Sequence, residues 1–258
     1  MTQNITLDFI KTHSLMDCLR EFQGVVSLNC SEKEKENALS NPFRVLAQKA
    51  IYGGYFVVKS GQRVLHRVYI HTVEFYYHEE KQGGLRDWIV YHKNPFKGKP
   101  KDAFPLGTFN SHQSGVDITF EDQTPGLKNP GYRASMLIRS FRVTTGDNKD
   151  YMQFGKYPDH VKNHQFQDVE FFPTHLYDYL FMQAPIDDIS ISWKEDPQEY
   201  GPVYAGQRIN VFEYNFKDDG SDTKSPETDD KKLDHRKWAF SQDQLVIGHK
   251  GFEEYTFE

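Results

Sequence analysis

Three ionisable residues stand where apolar ones would be expected. Glu74 lies in the extended run from Val64 to His78. Alternation there puts it in one row with Val64, Val68, Ile70, Thr72 and Tyr76. A carboxylate in such a row loses hydration, so it either finds donors or works as a general base or acid. The plainer reading is a twisted strand that solvates Glu74, or a structural pair with an arginine. Asp117 sits between Val116 and Ile118, on a less apolar face with Gly115 and Thr119. Arg139 shares a face with Leu137 and Phe141. A half-buried guanidinium needs a carboxylate, carbonyl or phosphate. Glu74 and Asp117 are the candidate partners, and a purely structural ion pair reads equally well.

Weaker constellations carry less. Ser111, His112 and Asp117 supply the residue types of a hydrolase triad, but no GxSxG elbow accompanies them, so we read coincidence. His160 and His164 have helical spacing for two metal ligands and no evident third. His78-Glu79-Glu80 does not extend to HExxH. No phosphate loop or dinucleotide fingerprint occurs. Neither a metal nor a cofactor is called for.

The elements that must position these residues are mostly strands. Residues 5–23 have helical spacing, and a charged stretch before Ser40 suggests a second short helix. Ser40-Asn41-Pro42 offers cap chemistry for a third, over Phe43 to Ala50. From Tyr55 the pattern is extended, with a turn at Ser60-Gly61. Further strands are expected at Gly115 to Glu121, Ala134 to Val143, Asp188 to Trp193 and Gln207 to Tyr214, and a helix near 173–183. Consecutive strands without βαβ alternation predict an α+β fold: a single domain over 1–258, with a curved, mostly antiparallel sheet flanked by helices. An acidic stretch near 217–232 reads as a disordered loop.

Composition narrows the partners. The net charge is -6, which opposes indiscriminate duplex binding. Basic residues nevertheless cluster at Lys93 to Lys101 and from Arg133 to Lys162, which predicts a local basic face. The 15% aromatic content suits strands and flat-ligand pockets. Only Cys18 and Cys30 are cysteines, and the N-terminus has no apolar signal region. A cytoplasmic, reducing location is the expectation. No apolar run suggests a membrane partner.

Read in order, LAQKAIYGGYFVVKSGQRVLHRVYIHTVEFYYHEE, GVDITF and SMLIRSFRV resemble the alkyladenine-type 3-methyladenine DNA glycosylases. VEFYY at Val73 to Tyr77 stands where that family has VETEAY. The likeness covers residues 42–145, with an echo in QRINVFEYN and DHRKWAF. It implies an N-glycosidic hydrolase that flips a base out of DNA into an aromatic pocket. Glu74 would be the water-activating carboxylate, Tyr76 a stacking aromatic, His92 the pocket histidine and Arg139 the arginine of the family's LLRALEP strand. Phe109 is the nearest counterpart of the wedge that replaces the flipped base. Asp117 departs from the family's asparagine, and Phe141-Arg142 replaces its closing EP. The partner implied is nucleic acid, DNA first. A nucleotide-like small molecule keeps the chemistry with a different substrate, and a non-catalytic module that binds modified bases keeps only the pocket.

Overall fold

A computed structural model describes residues 5–81, 83–87, 89–95, 99–124, 129–154, 166–197, 199–212, 234–248 and 254–258. In chain order the helices are α1 (Leu7–Thr12), α2 (Leu15–Glu21), α3 (Glu32–Tyr52) and α4 (His175–Phe181). The strands are β1 (Gly54–Ser60), β2 (Arg63–Glu79), β3 (Phe109–His112), β4 (Gly115–Thr119), β5 (Tyr132–Thr145), β6 (Ile189–Glu195), β7 (Tyr204–Gly206), β8 (Ala239–Ser241), β9 (Leu245–Ile247) and β10 (Glu254–Thr256). They form the expected α+β domain, whose antiparallel sheet curls into a half-barrel. No helix among the described residues is long and apolar enough to cross a membrane. The acidic stretch near 217–232 lies outside the described residues.

Local chemistry explains the helices. The expected single helix over 5–23 is two, because Ser14 caps its own: its Oγ accepts from Asp17 N–H at 3.1 Å. The expected break at Pro42 does not occur, and α3 runs through it from a capping box at Ser31 and Glu34. An interior proline costs about 3 kcal/mol. Leu39, Phe43, Leu46, Ala47 and Ala50 are all fully buried around it, and that burial outweighs the loss. Phe43 stacks on Phe75 of β2 with ring centroids 4.6 Å apart.

The sheet runs β3-β4-β5-β2-β1-β6, and β2 is its axis. β1 pairs with the first half of β2, while β8 pairs with Thr72, Val73 and Glu74. Between those halves the ladder to β5 is irregular. Pairing passes from Ile70↔Phe141 through Thr72↔Ser140 to Val73↔Ile138, skipping His71 and Arg139. The paired bulge reverses which residues face the helices. Val68 and Ile70 belong to the main core, and so do Val73, Phe75 and Tyr77. Glu74 and Tyr76 therefore turn to the opposite face, and the expected row shared with Val68 and Ile70 does not exist. Phe141 likewise faces the main core, away from Leu137.

The expected strand from Gln207 to Tyr214 is absent over its described residues 207–212, which turn at 209–210, and 213–214 lie outside the described residues. Only Tyr204–Gly206 is strand, and the chain then bends over the second face of β2. Arg208 drives this bend. Its guanidinium is fully buried, 2.6 Å from Asp87 Oδ2 and 3.2 Å from Asp234 Oδ2.

Candidate functional site

A cavity of about 230 Å³ opens on the second face of the sheet. Tyr76, Asp117, Leu137 and Arg139 reach it from β2, β4 and β5. Residues 89–91, 112–114, 173–174 and 209–211 complete its walls. The register explains the convergence, because Glu74 pairs with Leu137, and Leu137 with Asp117. All three lie in one row across three strands. Gly115 adopts φ +137°, and a β-carbon there would meet Leu137 at 2.9 Å and Pro173 at 3.0 Å. The β3–β4 hairpin can thus close down on the cavity only with glycine at that position.

Glu74 is fully buried, beneath the cavity and outside its lining. Both its oxygens are engaged. Oε2 accepts from the Tyr76 hydroxyl at 2.8 Å, and Oε1 accepts from Ile209 N–H at 2.6 Å. Arg139 Nε lies 3.8 Å from Oε1. Burial and the Glu74 charge push the Tyr76 phenol well above its usual range, so its hydroxyl stays a donor. Arg208 lies over the Tyr76 ring at 4.8 Å, covering part of the expected stacking surface. The arrangement makes Glu74 an anchor for Tyr76 and the 209–211 turn.

Asp117 is the carboxylate in the cavity wall. It is 3% exposed. Its Oδ2 lies 3.2 Å from His112 Nε2, close but not aligned as a hydrogen bond, and no described residue bonds Oδ1. His112 Nδ1 accepts from Ser114 N–H at 3.2 Å, so a neutral ring carries its proton on Nε2, toward Asp117. Tyr91 stacks on His112 at 4.0 Å, and its hydroxyl pairs with Ser114 Oγ at 2.9 Å. Of Ser111, His112 and Asp117, the histidine and aspartate come together as a close pair without an aligned hydrogen bond. Ser111 alternates away from it and is exposed, so no serine nucleophile completes it. Ser140, His71 and Asp243 also touch in turn, at 2.9 and 2.7 Å, but Ser140 and His71 are fully buried.

Comparison with protein-family models, curated proteins and solved structures finds no match. The site must be read from its own geometry.

Two expected members lie elsewhere. His92 pairs with Glu121 inside a buried cluster around Arg133, where the intervening loop carries it away from the cavity. Phe109 packs against Phe56 and Phe181 beside the helix-covered core, so it cannot act as a wedge at this cavity. The expected basic face also loses its arginines. Arg133 and Arg139 are buried, and Arg142 pairs with Asp168 at 2.8 Å. His160, His164, Lys156 and Lys162 fall outside the described residues. Sequence reasoning missed Asn210, whose φ of +58° is the only positive value among described non-glycine residues. Its one sequence signal is asparagine's tolerance of that conformation.

Proposed function

We propose that the cavity receives a nucleobase-sized ring and that the protein hydrolyses the N-glycosidic bond of a nucleoside or nucleotide. The observation that carries this is Asp117: a buried carboxylate with one unbonded oxygen, in a polar-and-apolar cavity walled by Tyr76 and Tyr91. The Asp117 carboxylate takes a proton from water as the water oxygen bonds to the anomeric carbon. The pair of the breaking carbon–nitrogen bond leaves with the base, which regains a proton from solvent. The same carboxylate stabilises positive charge developing on the sugar. Glu74, which the family likeness would make the base, is sealed below and holds Tyr76 and Ile209 instead. The reaction needs no cofactor.

The burial of Arg133 and Arg139, and the pairing of Arg142 with Asp168, favour a small substrate over a base flipped from duplex DNA. The test is to incubate the protein with nucleosides, nucleotides and modified or undamaged polynucleotides, and to measure released bases by mass spectrometry. Release from nucleosides or nucleotides, insensitive to salt, is expected. Release confined to polynucleotides and steeply salt-dependent would restore the DNA reading. Binding without release from anything would make the protein a base-binding module.

A further inference from the structure

Asn210 combines two features that a simple turn former does not need. It holds the left-handed conformation at φ +58°, which glycine adopts without steric cost. The turn is pinned on both sides of that residue's amide group. Ile209 N–H donates to Glu74 Oε1 at 2.6 Å, and the Tyr255 hydroxyl donates to Asn210 Oδ1 at 3.1 Å. With Oδ1 engaged, Nδ2 is directed elsewhere; it is buried and no described residue accepts from it. Asn210 lines the same cavity as Asp117. A buried amide donor without a partner is costly in a folded protein, so its retention at a cavity wall needs a reason.

We propose that Asn210 sets specificity: its Nδ2 donates to a carbonyl oxygen on the bound ring, so the site selects keto-type bases over rings without that carbonyl. An exocyclic oxygen offers two lone pairs outside the ring, where a short side chain on a fixed turn can reach one of them. This rests on the nucleoside reading and adds the class of base. A site built to hydrogen-bond such a group rejects an analogue lacking it, because the protein donor is then left unpaired.

The test uses carbocyclic inosine and the carbocyclic form of purine riboside, which differ by the C6 carbonyl and the N1–H that accompanies it and have no hydrolysable glycosidic bond, so the Asn210 variants isolate the carbonyl contact. Binding is measured by calorimetry. Wild type should bind the inosine analogue at least about tenfold more tightly. Asn210→Gly keeps the backbone conformation and removes the amide, and Asn210→Asp keeps the shape and removes the donor. Both should lose most of that preference; Asn210→Gly should melt near the wild type, and Asn210→Asp somewhat below it because it adds a buried charge. Equal binding of the two analogues by wild type, or a preference that survives in both variants, would overturn the inference. If wild type binds neither analogue, this inference and the nucleoside reading fall together. If the preference depends on Asn210 but natural nucleosides release no base, the hydrolase reading alone falls.

Discussion

Two buried polar clusters border β5, and they are finished to different degrees. At its start, Arg133 spends all five of its N–H donors: on Glu80, Glu121, Asn94 and the carbonyls of Lys101 and Asp102. His92 joins the cluster through Nδ1 against Glu121, and its Nε2 has no hydrogen-bond partner among the described residues. Burial alone would raise the Glu80 carboxyl, but hydrogen bonds from His78 and Arg133 outweigh it and lower it to about 2. Farther along, Asp117 Oδ1 and Asn210 Nδ2 have no partner among the described residues, beside a cavity. The first cluster ties the segment after β2 to the sheet. The second keeps hydrogen-bonding capacity in reserve, which a fold tolerates where a ligand repays it.

The largest expected difference is in stability. Arg133→Met should cost about 3–5 kcal/mol, because Glu80 and Glu121 are left buried without their cation. Asp117→Asn should leave stability unchanged or raise it, since it removes a buried charge that has no aligned donor. Urea unfolding of both variants checks this, and a strong destabilisation by Asp117→Asn would erase the contrast.

Glu74 gives a smaller effect with a diagnostic form. Glu74→Gln can keep its oxygen on Ile209 N–H and donate its amide to the Tyr76 oxygen, so it should lose only about 1–3 kcal/mol of stability. Glu74→Ala leaves both donors unmatched and should melt well below it. Equal melting of the two would show that the Glu74 hydrogen bonds do not hold the turn.

The acid limb should report the first cluster through Glu80, alongside Asp234: burial alone would raise the Asp234 carboxyl, but hydrogen bonding from Arg236 and the Arg208 charge lower it to about 2. Glu80 has a folded-state value of about 2 against an ordinary 4.5. Its contribution is complete above the ordinary value and is lost as pH falls from there through about 2. Glu80→Gln should therefore flatten the stability profile in that window, measured as melting temperature against pH. An unchanged slope would mean that Glu80 is not held ionised by its partners.

Much of the frame was legible in residue patterns. The hairpin of β1 and β2 follows from apolar alternation around Ser60-Gly61, and Tyr76, Asp117 and Arg139 do reach one cavity. What alternation misses is register. The paired bulge at His71 and Arg139 depends on how two distant strands meet, and it moved Glu74 to the other face. Glu74 is buried as its setting suggested, but under the 207–212 turn rather than among aliphatic neighbours. That turn alternates like a strand in INVFEY, and long-range contacts bend it: Asp87 and Asp234 on Arg208, and Glu74 on Ile209 N–H. Arg133 looked like surface charge because its four side-chain and backbone partner segments are scattered along the chain. His92 lies in the loop after β2 and Phe109 opens the four-residue β3, where spacing along the chain fixes position least.

The central claim is that Asp117, not Glu74, is the working carboxylate. Steady-state base release from the best nucleoside or nucleotide substrate, measured for wild type, Asp117→Asn and Glu74→Gln, tests it most directly. Asp117→Asn should lower kcat by at least about a hundredfold with its melting intact, while Glu74→Gln stays within about tenfold of wild type. The reverse order, with Glu74→Gln inactive and Asp117→Asn near wild type, would contradict the account.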